Sequence, residues 1–312
     1  SVAVAGGVAF GVWRMRTPYD NPLMADLPEG AAALTPYVRI TGDAITLITP
    51  RADVGQGAVS VQAMLIAEEL DVDPAQVATE FGPPDRAYWN TALSDEAVPF
   101  RSTDKGWLAE TARDVMDAPM KLLGMQITGG STTVPDGYEK LRRAGAVARE
   151  TLKAAAARLH GQSVDRLGTK GGAVILPDGT RLRYESLAAE AARTEPVTDV
   201  VLRDPSTWRL VGHKMQRVDI VAKSTGRQAY GIDEEQPGML HAAIRLNPAQ
   251  GAALRGLDAS EAKAMRGVKK IVEMPGGVGV IADNTWRAMQ AAQAIKCDWA
   301  PAPYPTGVEG HW

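Results

Sequence analysis

The chain has 312 residues, 45% of them hydrophobic, enough for two domains of ordinary size with filled cores. Its formal net charge is -3, with Lys and Arg scattered rather than gathered in runs, so the basic footprint that a phosphate backbone requires is missing and nucleic acid is excluded as a natural partner. The one cysteine, Cys297, rules out an internal disulfide and an iron-sulfur cluster held by this chain alone, and leaves the cellular compartment open.

Ser1 to Trp13 form an apolar run rich in Ala, Val and Gly, followed by Arg14 and Arg16. At about 13 residues it is shorter than the roughly 20 of a spanning helix, and no initiator Met or basic leader precedes it. Two readings stay open: the remainder of a signal or anchor segment that began upstream, and a buried N-terminal helix or strand. The first carries the expectation of a periplasmic location, or the periplasmic face of the inner membrane, with the cytoplasm as the alternative; cell fractionation separates them. After Pro18, Pro22 and Pro28, the alternation from Tyr37 to Thr49 around Gly42-Asp43 predicts a β-hairpin closed by Pro50. Asp53-Val54-Gly55-Gln56-Gly57 then opens a helix over Ala58 to Leu70, with Val61, Met64, Leu65 and Ala67 or Glu68 at helical spacing.

Phe81 to Leu123 reads as long loops with one short helix near Leu108 to Met116. A second glycine loop, Thr128-Gly129-Gly130-Ser131-Thr132-Thr133, precedes a helix from about Asp136 to His160, with Leu141, Ala144, Ala148, Leu152, Ala155 and Leu159 on one stripe and Gly161 as its stop. Ala173 to Tyr184 predicts another hairpin around Pro177-Asp178-Gly179, Glu185 to Arg193 a short helix, and Glu195-Pro196 a boundary. Beyond a connector through Trp208 comes a smaller mixed domain. It has strands near Val268 to Met274 and Val278 to Ala282, then a helix capped at Asn284 or Thr285 that turns Trp286, Met289 and Ile295 inward.

The two glycine loops carry most of the chemistry. Glycines let a ligand approach the backbone closely, and the free N–H groups of a following helix start receive anionic oxygen. Gln56 adds an amide that donates and accepts, and Ser131, Thr132 and Thr133 add hydroxyls. Taken alone, each loop is equally well a tight turn. The spacings fit neither a dinucleotide fingerprint nor a phosphate-binding P-loop. The histidines, His160, His213, His241 and His311, lack the short spacings of a zinc site, and His160 is best placed as a favourable charge at a helix C-terminus. Cys297 reads as a small core residue at a helix end. Asp53, Glu68, Glu69, Asp71 and Asp73 read as a solvated helix end before Pro74, and Arg142, Arg143 and Arg149 as an exposed charged face.

The order of motifs is more specific than any one of them. Asp53-Val54-Gly55-Gln56-Gly57, Ala67-Glu68-Glu69-Leu70-Asp71-Val72, Thr128-Gly129-Gly130-Ser131-Thr132 and Leu141-Arg142-Arg143-Ala144-Gly145-Ala146 closely resemble the molybdopterin-binding large subunit of the xanthine dehydrogenase superfamily. Within it they are nearest to isoquinoline 1-oxidoreductase and membrane-associated aldehyde dehydrogenases. Gly212 to Asp219, Lys223, Gly226, Tyr230-Gly231-Ile232-Asp233 and Pro237-Gly238-Met239-Leu240 look like the start of the family's α/β hammerhead domain, and Val280-Ile281-Ala282-Asp283 with Trp286 like its end. Asp53-Val54 stands where family members often carry Glu-Met, which keeps the acid.

The resemblance implies an α+β fold: a remnant of a signal or anchor segment over 1–24, the first part of a molybdopterin-binding domain over 25–203, a hammerhead domain over 210–300, and the start of a missing C-terminal region over 301–312. It implies that Gly55, Gln56 and Gly57, with Gly130, Ser131 and Thr132, contact molybdopterin cytosine dinucleotide carrying molybdenum. The implied activity is oxidative hydroxylation of an aldehyde or aromatic N-heterocycle with water-derived oxygen. Electrons would pass to [2Fe-2S] clusters on a small iron-sulfur subunit, with a cytochrome c subunit as a further candidate partner. Family members are usually more than twice as long, and their glutamate base lies in the C-terminal half, so no catalytic residue is assigned here. The alternative function is a non-catalytic interaction or assembly module.

Overall fold

The computed structural model describes residues 2–95, 97–101, 103–305 and 307–311; Ser1 and Trp312, which open and close the terminal segments named above, lie outside the described residues. The fold is mixed α and β with small sheets, and it parts into two compact units, Ser1–Gln228 and Ala229–Trp312.

The first unit opens with helix α1 (Val2–Arg16), which takes up the apolar run. Among the described residues no helix is long and apolar enough to cross a membrane. Strands β1 (Ala32–Thr35), β2 (Val38–Ile40) and β3 (Ile45–Thr49) form an antiparallel meander, and the predicted hairpin is the β2/β3 pair, with Val38 opposite Leu47 and Ile40 opposite Ile45. Helix α2 (Ala58–Leu70) then crosses over to β4 (Ala78–Phe81), which lies parallel to β3. Parallel neighbours need such a crossover. The first glycine loop therefore sits at the carboxyl end of β3, the end where β-α-β units gather ligands.

Helix α2 spans the predicted residues but is no surface helix. Leu65, Ile66 and Leu70 are buried on one side, and Gln62, Glu68 and Glu69 are buried as well. The stretch read as loops holds a short helix, α3 (Ala92–Asp95), and a long one, α4 (Trp107–Leu123), 17 residues rather than the short helix predicted. Pro119 lies inside α4, where a proline ordinarily breaks the helix. Tertiary contacts carry the helix through it: Lys121 Nζ donates to Met15 O at 2.6 Å and Thr17 O at 2.7 Å, closing the last turn of α1, and Tyr19 Oη donates to Lys121 O.

Helix α5 (Thr133–His160) ends as predicted, with Gly161 left-handed and its N–H on Ala157 O. Leu141, Ala144, Ala148, Leu152 and Ala155 are buried, but Leu159 at the fraying end is exposed. A small antiparallel sheet follows, of β5 (Gly168–Thr169), β6 (Ala173–Ile175) and β7 (Arg181–Arg183), then α6 (Tyr184–Ala191) and α7 (Ile220–Ser224). The units part at Gln228, beyond the predicted connector through Trp208. Residues 209–218 are bonded into the first unit: the N–H groups of Arg209, Leu210 and Val211 reach the Glu68 carboxylate, and that of Val218 reaches Ser60 Oγ.

The second unit contains β8 (His241–Leu246), β9 (Leu254–Asp258), α8 (Ser260–Ala264), β10 (Val268–Met274), β11 (Gly277–Ala282), α9 (Thr285–Ala294) and β12 (Lys296–Trp299). Strands β10, β11 and β8 form an antiparallel sheet in that order, and β12 pairs with β9. Helix α9 is capped by Asn284 as predicted, its side chain accepting from the Arg287 N–H. Its inward face differs from the prediction. Ala288, Ala291 and Ala292 face the core with Ile295, while Trp286 is 67% and Met289 45% exposed. Alanines let α9 lie close against Val278 and Val280 of the sheet, a spacing that leaves no room for an indole. Cys297 lies in β12 rather than at the helix end, half-buried beside this core.

Candidate cofactor-binding site

The first glycine loop holds itself together. Asp53 Oδ1 accepts the Gly55 N–H at 2.8 Å and Oδ2 the Val59 N–H at 3.0 Å; Gln56 Oε1 accepts the Val54 N–H and its Nε2 donates to Ala52 O. Burial opposes ionisation of Asp53, but these backbone donors and the charge of Lys223 outweigh it and hold the carboxyl below its usual range. The Gln56 amide is thus spent inside its own loop, and what the loop turns outward is backbone. Gly57 takes φ 90° just before α2, a conformation that only glycine adopts freely.

The second loop is built differently. Thr132 is buried, its hydroxyl donating to Gly129 O and accepting from Asn90 Nδ2, which also donates to Ile127 O. Ser131 stays exposed and is held at φ 59°, uncommon for any residue but glycine.

The structure brings the two loops together. Thr128 Oγ1 accepts the Ala52 N–H at 3.1 Å, joining the residue before the first loop to the first residue of the second. Beneath this bond, buried Arg51 donates to Asp136 Oδ2 at 2.5 Å and to the carbonyls of Tyr88 and Trp89. Asp136 Oδ1 takes the Thr91 N–H and Lys140 Nζ, and that ammonium lies 3.3 Å from the centroid of the Trp89 ring. Burial pushes the Lys140 pKa down, against the pull of Asp136. Among the described residues Arg51 Nε has no hydrogen-bond partner.

Helices α2 and α5 run the same way: Asp136 in the first turn of α5 meets Arg51 ahead of α2, while Gly145 and Arg149 further along meet Ile66 and Glu69. A Cβ at Gly145 would lie 2.3 Å from Ile66 O, so this glycine is what lets the two backbones close. Both N-termini, each behind a glycine loop, therefore share one end, where their dipoles favour negative charge by about 0.3 to 1 kcal/mol each. The space beyond Gly55 and Gly129 is open. The Gly55 N–H is taken by Asp53, which also draws on the Gly57 N–H, so what suits a phosphate-bearing ligand here is the remaining N–H groups of the two helix starts and their dipoles, with Thr132 shaping the second loop.

The acidic residues at the far end of α2 are not solvated, as the sequence suggests, but buried. Glu69 accepts from Arg142 Nε and Nη2, from Arg149 Nη1 and from the Arg203 N–H; Asp71 accepts from Thr169 Oγ1 and from the guanidinium groups of Arg203 and Arg209. Arg142 and Arg149 are correspondingly buried, and only Arg143 keeps an exposed bond, to Thr198 O. Burial raises the Asp71 pKa, but hydrogen bonds from Arg203 and Thr169 and the nearby cations overcome it, leaving the carboxyl low. This hub fixes the helix pair at the end opposite the loops. His160 and His213 are exposed, and His241 Nδ1 lies 2.9 Å from Thr285 Oγ1. Sequence reading missed Arg51 and Asn90, and named Thr128 and Asp136 only as a loop residue and a helix start; of these only Asp136, an acid in the first turn of a predicted helix, gave a local signal of its role.

No family model matches the chain. Among curated proteins it is 27% identical over 316 residues to a membrane-bound aldehyde dehydrogenase (pyrroloquinoline-quinone) of Gluconacetobacter polyoxogenes, covering 96% of this chain and 36% of that protein. It is 27% identical to the beta subunit of isoquinoline 1-oxidoreductase of Brevundimonas diminuta, covering 89% and 37%, and 28% identical to a nicotinate dehydrogenase subunit of Pseudomonas putida, covering 80% and 19%. The chain is thus similar to subunits of oxidoreductases and dehydrogenases of the kind that the order of its motifs resembles. It spans little more than a third of the length of the first two relatives. Solved structures give a slight likeness: a Cu,Mo-CO dehydrogenase at TM-score 0.26 and 20% identity over 31% of this chain and 16% of that one, and quinoline 2-oxidoreductase of Pseudomonas putida 86 at 0.26 and 24% over 31% and 17%.

Proposed function

We propose that the chain is part of the cofactor-binding large subunit of a molybdenum hydroxylase that acts on an aldehyde or aromatic N-heterocycle. The observation that carries this reading is the joining of the two glycine loops at the shared N-terminal end of α2 and α5, a backbone-lined seat for a phosphate-bearing cofactor. The cofactor we assign to it is molybdopterin cytosine dinucleotide, which when bound supplies the hydroxylation and electron-transfer chemistry. The chain's own residues bind and orient. Backbone N–H groups of the loops receive phosphate oxygens, Gln56 and Asp53 keep the first loop in shape, and Thr132 with Asn90 keeps the second. Proton transfer and the seat of the [2Fe-2S] clusters are assigned to other parts of the assembly: the remainder of the large subunit and a small iron-sulfur subunit. The hammerhead domain is proposed over residues 210–300, of which 210–228 lie in the first compact unit and the rest in the second, and the periplasm is proposed as the location.

The test is to purify the protein with its genetic neighbours and measure molybdenum, released CMP and pyrroloquinoline quinone per chain, with Gln56→Ala beside the wild type. Near-stoichiometric molybdenum and CMP, falling about tenfold in the variant as outer-contact losses typically do, support the reading. Quinone without molybdenum overturns it in favour of the cofactor named in the Gluconacetobacter relative, and neither group in a folded complex leaves the assembly-module function.

A further inference from the structure

A third segment closes on the first glycine loop. Arg217, 162 residues beyond it, donates from Nη1 to Gly55 O at 3.0 Å. Its other edge forks onto Asp219, Nε to Oδ1 at 3.0 Å and Nη2 to Oδ2 at 2.9 Å, and Nη2 also stands 3.8 Å from Asp53 Oδ1. A side chain at Gly57 would meet the guanidinium carbon at 4.0 Å, so the guanidinium covers the loop's second glycine. Lys223, one turn along α7, pairs with the same Asp219 Oδ2 that Arg217 Nη2 bonds, and the Val218 N–H on Ser60 Oγ pins the segment to the first turn of α2. Two carboxylates and two cations balance here, so the cluster offers no net charge to an anion. What it offers is shape. Gly55 is held at its N–H by Asp53 and at its carbonyl by Arg217, which leaves the outward N–H groups of the loop in one fixed arrangement.

We propose that Arg217 is the positioning residue of the cofactor loop, setting the Gly55-Gln56-Gly57 backbone for the phosphate-bearing ligand; the assignment rests on the cofactor reading above. Arginine suits the task because one planar fork satisfies Asp219 and still has a donor left for Gly55 O, which an ammonium point charge cannot do with the same geometry. Hydrogen bonds from Arg217, aided by Lys223, hold the Asp219 carboxyl at about 2, so the fork stays ionised at ordinary pH.

The test uses the cofactor-loaded complex with Arg217→Gln and Arg217→Lys. Amide hydrogen exchange is read over residues 53–60, with molybdenum per chain and melting temperature alongside. For Arg217→Gln, exchange over 53–60 accelerates about tenfold as a local opening, with the melting temperature within about 2 °C of wild type. Molybdenum falls about tenfold. Arg217→Lys recovers roughly half of it, because one donor can still reach Gly55 O. Unchanged exchange over 53–60 overturns the assignment, and so does faster exchange with molybdenum fully retained. A wild type without molybdenum sinks the cofactor reading and this assignment with it, whereas failure of the assignment alone leaves the wild type loaded.

Discussion

Replacing Glu69 by glutamine keeps the shape of a fully buried side chain and removes its charge. Two guanidinium groups then face a neutral amide: Arg142, 7% exposed at the side chain, and Arg149, 9% exposed. The amide carbonyl can still serve Arg142, but its NH2 must point at the donors of Arg149 and the Arg203 N–H. Breaking a buried ion pair from one side in this way costs about 3 to 5 kcal/mol. At about 2 to 4 °C per kcal/mol for a unit of this size, the melting transition drops by roughly 6 to 20 °C. Calorimetry on Glu69→Gln reads the drop directly, and adding Arg142→Met tests its cause. If the loss comes from the stranded guanidinium, the double variant recovers part of it, with a coupling of about 1 kcal/mol or more. A single variant melting within about 2 °C of wild type, or two substitutions that simply add, would refute the account of the hub as a coupled network.

Gly145→Ala drives a methyl group into Ile66 O, so α2 and α5 must separate; overpacking of this kind costs about 1 to 3 kcal/mol, read as a lower denaturant midpoint at unchanged slope. An unchanged midpoint would mean the helices have slack at their crossing. The low carboxyl of Asp71 sets the sign of an acid effect: its ionised form stabilises the fold above the unfolded value near pH 4, and that stabilisation disappears as pH falls through the lower folded value. Asp71→Asn tolerates the left-handed φ of 65° at this position, so its melting temperature is lower than wild type at neutral pH and converges on it as the pH falls through the lowered folded value. Parallel curves across that range would remove Asp71 from the acid response.

Helix bounds were legible where a glycine or cap marks them. Gly57 before Ala58, Gly161 after His160 and Asn284 before Thr285 all stand where the chain turns. Both glycine loops were legible as loops. Their meeting was not, because the Thr128 to Ala52 bond joins residues 76 apart and neither carries a local signal of it. The same distance hid the fate of Glu68, Glu69 and Asp71. A carboxylate looks solvated until its partners are known, and those partners, Arg142, Arg149, Arg203 and Arg209, come 73 to 141 positions later. Helix α4 runs beyond the predicted Met116 and past Pro119 because the Lys121 clasp, which no local pattern shows, reaches back to α1. Trp286 misled in the opposite sense. Hydrophobicity places an indole inside, but the sheet beneath α9 accepts only alanines at that spacing.

The acidic end of α2 also sets the order in which the first unit can close during synthesis. Asp71 leaves the ribosome 138 residues before Arg209, which at roughly 5 to 20 residues per second is on the order of ten seconds. Through that interval Glu68 has water in place of every partner and Asp71 lacks both of its guanidinium groups, so the nascent helix end is not yet sealed. Strand and helix contacts formed earlier remain provisional until Arg203 to Val211 emerge and supply the donors. The unit is thus sealed by its last connector, and the non-local contacts that do so, more than its helices, set the pace of folding.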